Sequence, residues 1–387
     1  MFNAGNGIFN GAIILKILQV ITELGAGGAE KIITILANEY GKKGHTVSVI
    51  SLMGPPDNQT IPEKLKAAGV KITYLNMGKF DLTGLLRLRT EIRKQNPDVV
   101  HSHLIHPNIL CRLALIGTKL PLINTIHISE RRKGKKLFFI LDHLTFPLAN
   151  VCTAVSKASA RFHCAICGLK NGSIRTIYNG VNQVELPSPE RIAEFRKTMH
   201  LDQYTKVIGS IGRLDYQKGY DRLIERIGAL DSLIPPGERW LLLILGDGPE
   251  REKLQNLIDR LHLANLKIRL GGFYPDAASL MSQFDVFVMP SRYEGYGLAL
   301  AEAMTLGLPV VSSRVDSLPE LCAMYRGAYQ LVNMKRDMEG KELAKSIYAM
   351  AYAQRSAGQI LQTHESMAKE YLALYNEFLK EREKEKS

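Results

Sequence analysis

Two successive α/β domains, each built on a parallel sheet, are what this sequence predicts. Three observations carry that expectation. Short β-rich runs alternate with amphipathic helical stretches along the whole chain. A break rich in proline, ELPSPE at residues 185–190, interrupts the alternation, and the same rhythm restarts after it. The length, 387 residues, exceeds what one hydrophobic core organises.

In the first half, strands are expected at residues 13–21, 46–51, 71–75, 99–101, 122–125 and 151–154. Helices are expected between them, at 29–42 and 85–95 among others. In the second half the strands fall at 207–211, 240–245, 268–270, 286–289 and 310–312, and helices at 220–229, 250–261, 277–282 and 298–306. A final helix runs from residue 360 to about 383 and ends in a solvated charge run. The expected divisions are 1–186, 187–360 and a C-terminal helix over 361–387. The first dozen residues, MFNAGNGIFNGA, carry no basic start and read as a frayed leader rather than a signal peptide.

The apolar share is 45% and the charged share 23%, an ordinary globular balance, and no apolar run reaches the ~20 residues of a membrane span. Net charge is +12, and its distribution is uneven. Residues 1–186 hold 23 lysines and arginines against 11 aspartates and glutamates, whereas residues 187–387 hold 27 of each. The whole excess lies in the first half and points to an anionic partner there. Nucleic acid is disfavoured, because exposed aromatics do not interleave the basic residues. Five cysteines are scattered at 111, 152, 164, 167 and 322, which fits packed thiols in a reducing compartment. Cys164 and Cys167 form a lone C-x-x-C beside His163, without the second pair a zinc site would want.

The chemistry gathers in three stretches. In SRYEGYGLALAEAM, Glu294 precedes two glycines at the mouth of a helix, and Glu302 sits inside that helix among small apolar residues. The preceding strand places this helix start at the carboxyl end of a sheet, where open α/β folds bind ligands. Free N–H groups at such a start attract anions, and Gly295 and Gly297 allow close approach. A carboxylate accepts two hydrogen bonds at once, which suits a vicinal diol; a structural ion pair is the alternative for Glu302. In GSIGRLDYQKGYDRL, Arg213 and Lys218 flank a turn after another strand, an arrangement that suits a diphosphate. Gly246 in ILGDGPE is a further strand-end glycine. In ELGAGGAEK, Gly27 and Gly28 lie between a strand and a helix; Glu30 stands where a dinucleotide fingerprint requires glycine.

Taken together, EGYGLALAE, GRLDYQKG, GAGGAE, VVHSH, AVSKA, IYNGVN and GDGPEREKL resemble, in order, the landmarks of retaining GT-B glycosyltransferases, in particular glycosyltransferase family 4. The resemblance covers nearly the whole chain. It implies two Rossmann-like domains facing each other across a cleft, with the C-terminal helix crossing back to the first. It implies transfer of a sugar from a nucleoside-diphosphate sugar to a glycan or lipid-linked acceptor, with retention at the anomeric carbon. Glu302 would hold the ribose hydroxyls of the donor. Glu294 would bind the transferred sugar, with Gly295, Tyr296, Gly297 and Leu298 around sugar and phosphate. Arg213 and Lys218 would stabilise the departing diphosphate, and Gly27 and Gly28 would serve phosphates and acceptor. His127 in NTIHISE would lie near the sugar, while His101 and His103 are expected to be structural or on the acceptor side.

No two aspartates stand two positions apart, so the Asp-x-Asp pair of metal-dependent transferases is missing and a metal-free reaction is expected. The residues themselves do not choose the base; a UDP-sugar is favoured over a GDP-sugar. The five cations among residues 131–136 (Arg131, Arg132, Lys133, Lys135, Lys136), followed by an apolar stretch up to Pro147, suggest a cytoplasmic protein resting on an anionic membrane face. A nucleotide-sugar epimerase, and more remotely a non-catalytic anion- or nucleic-acid-binding protein, are the rival readings. Oligomeric state is left open.

Overall fold

A computed structural model describes residues 8–9, 12–25, 27–78, 81, 83–128, 131 and 136–384. Its contacts divide the chain into two compact units, residues 1–180 with 362–387, and residues 181–361.

The first unit opens with a small antiparallel hairpin, β1 (Ile8–Phe9) and β2 (Ala12–Ile13). The chain then alternates through β3 (Lys16–Ile21), α1 (Gly28–Lys42), β4 (Thr46–Ser51), α2 (Thr60–Ala67), β5 (Lys71–Tyr74), α3 (Gly84–Gln95) and β6 (Val99–His103). It continues through α4 (Ile105–Ala114), β7 (Leu122–Ile126), α5 (Lys136–Thr145), β8 (Val151–Ala154), α6 (Lys157–Cys167) and β9 (Arg175–Thr176). The seven strands are parallel in the order β5-β4-β3-β6-β7-β8-β9. Strands β6, β7 and β8 are buried on both faces, as parallel strands covered by helices must be. One core is made by Leu18, Val20, Ile50, Leu88, Ile92 and Val100.

The second unit runs α7 (Pro189–Thr198), β10 (Lys206–Ile211), α8 (Tyr220–Arg226), α9 (Gly228–Asp231), β11 (Trp240–Leu245), α10 (Arg251–Asp259), β12 (Leu266–Gly272) and α11 (Ala277–Leu280). Then follow β13 (Val286–Met289), α12 (Leu298–Thr305), β14 (Val310–Ser313), α13 (Leu318–Met324), β15 (Tyr329–Val332) and α14 (Lys341–Ala351). Its six parallel strands are ordered β12-β11-β10-β13-β14-β15. Trp240 and the apolar strand residues Ile208, Leu242, Ile244, Val286 and Val288 are at most 1% exposed and pack under α8, α10 and α14. Each such aliphatic side chain contributes about 1.5–3 kcal/mol of burial.

The last helix, α15 (His364–Lys384), belongs to the first unit. Its Tyr375 is hydrogen-bonded to Tyr40 of α1 at 3.0 Å and to His101 Nδ1 at 2.6 Å. Within ELPSPE the structure departs from the expected linker. Ser188 caps α7 by accepting from Arg191 N–H at 3.3 Å, and Pro189 fills the first helical position, where its missing N–H costs nothing. The expected helix at 220–229 breaks into α8 and α9, and the expected strand from 13 divides into β2 and β3.

Candidate active site

The order of the second sheet reverses between β10 and β13, so the loops after these two strands lie side by side at their carboxyl ends. This brings together stretches 76 residues apart in sequence. Lys218 Nζ donates to Glu294 Oε1 at 2.6 Å, and Ser291 Oγ donates to the same oxygen at 2.9 Å. The loop is pinned further by Gln217 Nε2 to the Tyr293 carbonyl at 3.2 Å and by Glu294 N–H to Asp316 at 3.0 Å. Arg292 makes a two-pronged pair with Asp221, both contacts 2.7 Å, and lies over the Tyr216 ring. Asp215 caps the short turn Tyr216–Lys218 by accepting from Lys218 N–H, which fixes where the lysine leaves the backbone.

Arg213 stands apart from that pair. Its side chain is 61% exposed, with Asp215 3.9 Å away. The guanidinium therefore projects to solvent from a fixed turn, where Leu214 N–H bonds to the Asp247 carbonyl at 3.0 Å. Gly246 belongs to the same mated backbone. Its N–H donates to the Gly272 carbonyl at 2.7 Å, its φ is 145°, and a Cβ there would lie 2.0 Å from the Gly212 carbonyl oxygen. Only glycine fits.

Helix α12 starts on Gly297, whose φ of 94° is left-handed and whose Cβ would strike Leu318 at 2.7 Å. No side chain caps this start among the described residues, so its first-turn N–H groups are available to an anion. Tyr296 is buried, and its carbonyl accepts from Ser317 Oγ at 2.9 Å. Glu302 is buried in the helix, and its carbonyl accepts from Thr305 Oγ1.

In the first unit the expected residues sit at the carboxyl ends of β3 and β7. Gly27 is the N-cap of α1, and a Cβ on it would lie 2.2 Å from Glu30 Oε2. The start of α1 thus already holds a carboxylate of its own chain, favoured there by the helix dipole. His127, partly exposed, follows β7, and its Nε2 is 2.8 Å from His103 Nδ1. The Nε2 of His103 is 2.5 Å from Gln19 Oε1. His101 lies 4.1 Å from the His103 ring and is bonded to Tyr375 and Thr125. Desolvation holds His101 and His103 well below the usual imidazole range and lowers His127 to about 3, so all three are neutral near pH 7. Gln19 carries no signal in the sequence, and Glu30 stands out there only as the residue that breaks a dinucleotide fingerprint. An amide inside the strand KILQVI gives no signal until β3 and β6 are known to be neighbours.

All five cysteines are buried free thiols. Cys167, His163 and Asp142 converge, with Asp142 Oδ2 2.5 Å from His163 Nε2 and 3.6 Å from Cys167 Sγ. Asp142 is also paired with the fully buried Arg112 at 2.6 Å. A fixed guanidinium on the same carboxylate opposes a bound cation, so the cluster reads as a neutralised structural network.

On α5, Phe139, Asp142 and Thr145 face inward, while Leu137, Ile140 and Leu144 are 64%, 55% and 67% exposed. Leu141 and Leu148 extend the apolar stripe. Arg131 stacks on Phe162 at 4.7 Å. Arg132, Lys133 and Lys135 of the basic cluster lie outside the described residues. Among the described residues no helix is long and apolar enough to cross a membrane.

Comparison with known proteins identifies the family and the fold. Residues 26–184 match the model of Glycosyltransferase Family 4 and residues 191–341 that of Glycosyl transferases group 1. An uncharacterized glycosyltransferase of Methanocaldococcus jannaschii is 29% identical over 74% of this chain and 76% of its own length. A Campylobacter jejuni alpha-1,4-N-acetyl-D-galactosaminyltransferase, named for a diNAcBac-PP-undecaprenol-linked substrate, is 26% identical over 84% of each chain. The Anabaena protein HepE, solved with UDP and glucose, superposes with a TM-score of 0.72 at 22% identity, covering 96% of this chain and all of that one. Two matched halves, two parallel sheets and a shared GT-B architecture lead to one assignment: the chain is a glycosyltransferase of the group 1 and family 4 type.

Proposed function

We propose that this glycosyltransferase moves a hexose or hexosamine from a UDP-sugar to a glycan or lipid-linked acceptor, with retention and without a metal ion. The observation that carries the reading is the Lys218–Glu294 pair beside the uncapped start of α12. It sets a cation, a carboxylate and backbone N–H groups within one small region, which are the three things a sugar diphosphate presents surfaces for. Arg213 and Lys218 stabilise the charge that grows on the phosphate oxygen as the anomeric bond breaks. Glu294 orders hydroxyls of the transferred sugar and Glu302 those of the ribose, with Gly295, Tyr296, Gly297, Leu298 and Gly246 shaping the backbone around them.

In the first unit, the family resemblance would give His127 a role toward the sugar and Gly27 and Gly28 a role toward the acceptor. The Glu30 carboxylate beside Gly27 suits a hydroxylated acceptor better than a second phosphate. The acceptor oxygen bonds to the anomeric carbon on the face the leaving group departs from, and the departing phosphate oxygen takes the acceptor's proton. The UDP preference is supported by the uridine nucleotides named with the Anabaena fold neighbours. The lipid-linked option is supported by the Campylobacter relative's name and by the exposed apolar stripe of α5, which follows the basic run 131–136 in sequence, a combination suited to the cytoplasmic face of an anionic membrane.

Two experiments test this reading. Arg213→Ala, with an unchanged circular dichroism spectrum, should lose turnover of its nucleotide sugar by about two to three orders of magnitude; a near-normal rate rejects the clamp. In flotation, the protein should rise with anionic vesicles and Leu144→Glu should remain at the bottom; a native chain that never floats rejects the membrane partner.

A further inference from the structure

We propose that Gln19 is a positioning residue that acts through His103 to hold His127 in its Nε2–H tautomer, leaving Nδ1 as a bare acceptor for a substrate hydroxyl. The argument is a count of protons. A neutral imidazole carries one N–H; His103 is fully buried, and desolvation holds both it and the partly exposed His127 neutral. Gln19 Oε1, 2.5 Å from His103 Nε2, can only accept, so the single proton of His103 resides on Nε2. His103 Nδ1 is then an acceptor, and the 2.8 Å contact with His127 Nε2 requires His127 to donate. The proton of His127 is thereby placed on Nε2 and its Nδ1 carries a lone pair. No protein partner for that Nδ1 is seen among the described residues.

Turning the Gln19 amide over would reverse every bond in the chain and put the proton on His127 Nδ1. Its orientation is therefore what selects the tautomer. The selection has a cost: Gln19 is fully buried, and its Nε2 finds no partner among the described residues. The frame is rigid. β3, β6 and β7 are adjacent, with Gln19 opposite His101 and His103 opposite Thr125, and the His101 ring lies 4.1 Å from that of His103, tilted by 37°. For the use of Nδ1 this inference rests on the glycosyltransferase reading; the tautomer itself does not.

The test separates the two. In the full chain labelled with ¹⁵N-histidine and free of substrate, long-range ¹H–¹⁵N spectra report which nitrogen of each ring is protonated. The signal lost in His127→Asn identifies His127. It should show a protonated Nε2 and a bare Nδ1; a protonated Nδ1 overturns the proposal whatever the enzyme transfers. In Gln19→Met, a near-isostere without a polar group, the His127 signal should move towards a tautomer average. Turnover should then fall about fivefold, the worth of one hydrogen bond, with the KM for the nucleotide sugar unchanged. An unmoved His127 signal in that variant also overturns it.

Discussion

Lys218 Nζ and Glu294 Oε1, 2.6 Å apart, join the loop after β10 to the loop after β13 where the strand order of the second sheet reverses. One group suits a phosphate and the other a sugar hydroxyl, and here each satisfies the other. Glu294 is only 6% exposed in its side chain, so it would be costly to leave alone there. The pair holds both side chains in place.

Replacing the lysine should therefore affect both stability and rate. Lys218→Met leaves Glu294 with the Ser291 hydroxyl as its named side-chain donor, and chemical denaturation should show a loss of about 2 kcal/mol. Turnover with the nucleotide sugar should fall about 10²–10³-fold, the usual effect of removing one charge-stabilising donor. A variant as active as the native chain would show that the lysine serves the fold alone.

The glycines of the second unit make a sharper distinction. At Gly246 a methyl group meets the Gly212 carbonyl oxygen at 2.0 Å, and that oxygen belongs to the backbone leading into Arg213. Gly246→Ala must push the two loops apart, costing about 1–3 kcal/mol in strain. Gly237 also has a positive φ, 88°, but an added Cβ there meets nothing within 4 Å. Gly237→Ala should be the milder change by melting temperature and should keep its affinity for the nucleotide sugar in calorimetry, whereas Gly246→Ala should lose affinity. Equal effects at the two sites would contradict the role given to the mated loops.

Much of this was legible in the sequence because glycine and charge at strand ends are local signals. EGYGLALAE declares a helix start with a carboxylate on either side, and GRLDYQKG a cationic turn after a strand. What stayed hidden depends on pairing across distance. Gln19, His103 and His127 become a chain only when β3, β6 and β7 lie side by side, and Asp142 joins His163 and Cys167 from another helix. Strand β15, YQLV, was missed because it is the last strand of its sheet and largely exposed, without the apolar run that marks the inner strands. Pro189 read as a breaker because its role at the first helical position depends on Ser188 capping the same turn.

Stability should fall steeply as the pH drops below the ordinary histidine range. His101, His103 and His127 have folded-state pKa values below the unfolded value near 6.5, that of His127 at about 3. The unfolded chain then binds more protons than the native one, so the stabilisation is complete above about pH 6.5 and is lost as pH falls towards the folded values. With all three neutral in the native state and charged in the unfolded one, the slope approaches about 4 kcal/mol per pH unit. Urea unfolding between pH 7 and 5 measures it. A flat profile over that range would mean that these rings are not held neutral.

The Asp142 network predicts a second, more acidic loss. Burial raises the Asp142 pKa, but the hydrogen bond from His163 and the charge of Arg112 outweigh it and leave the carboxyl below its ordinary value near 3.8. A depressed carboxyl contributes stability that is present above its unfolded pKa and disappears as pH falls through the folded one. Asp142→Asn should remove that part of the acid transition. Asp142→Ala, which leaves the Arg112 guanidinium buried without its carboxylate, should cost about 3–5 kcal/mol at neutral pH. Since Arg112 already neutralises the carboxylate, a chelator such as EDTA should leave the native melting temperature unchanged. A melting temperature that drops with chelator and returns with zinc would instead make Asp142, His163 and Cys167 metal ligands, and Arg112 the group that orients one of them.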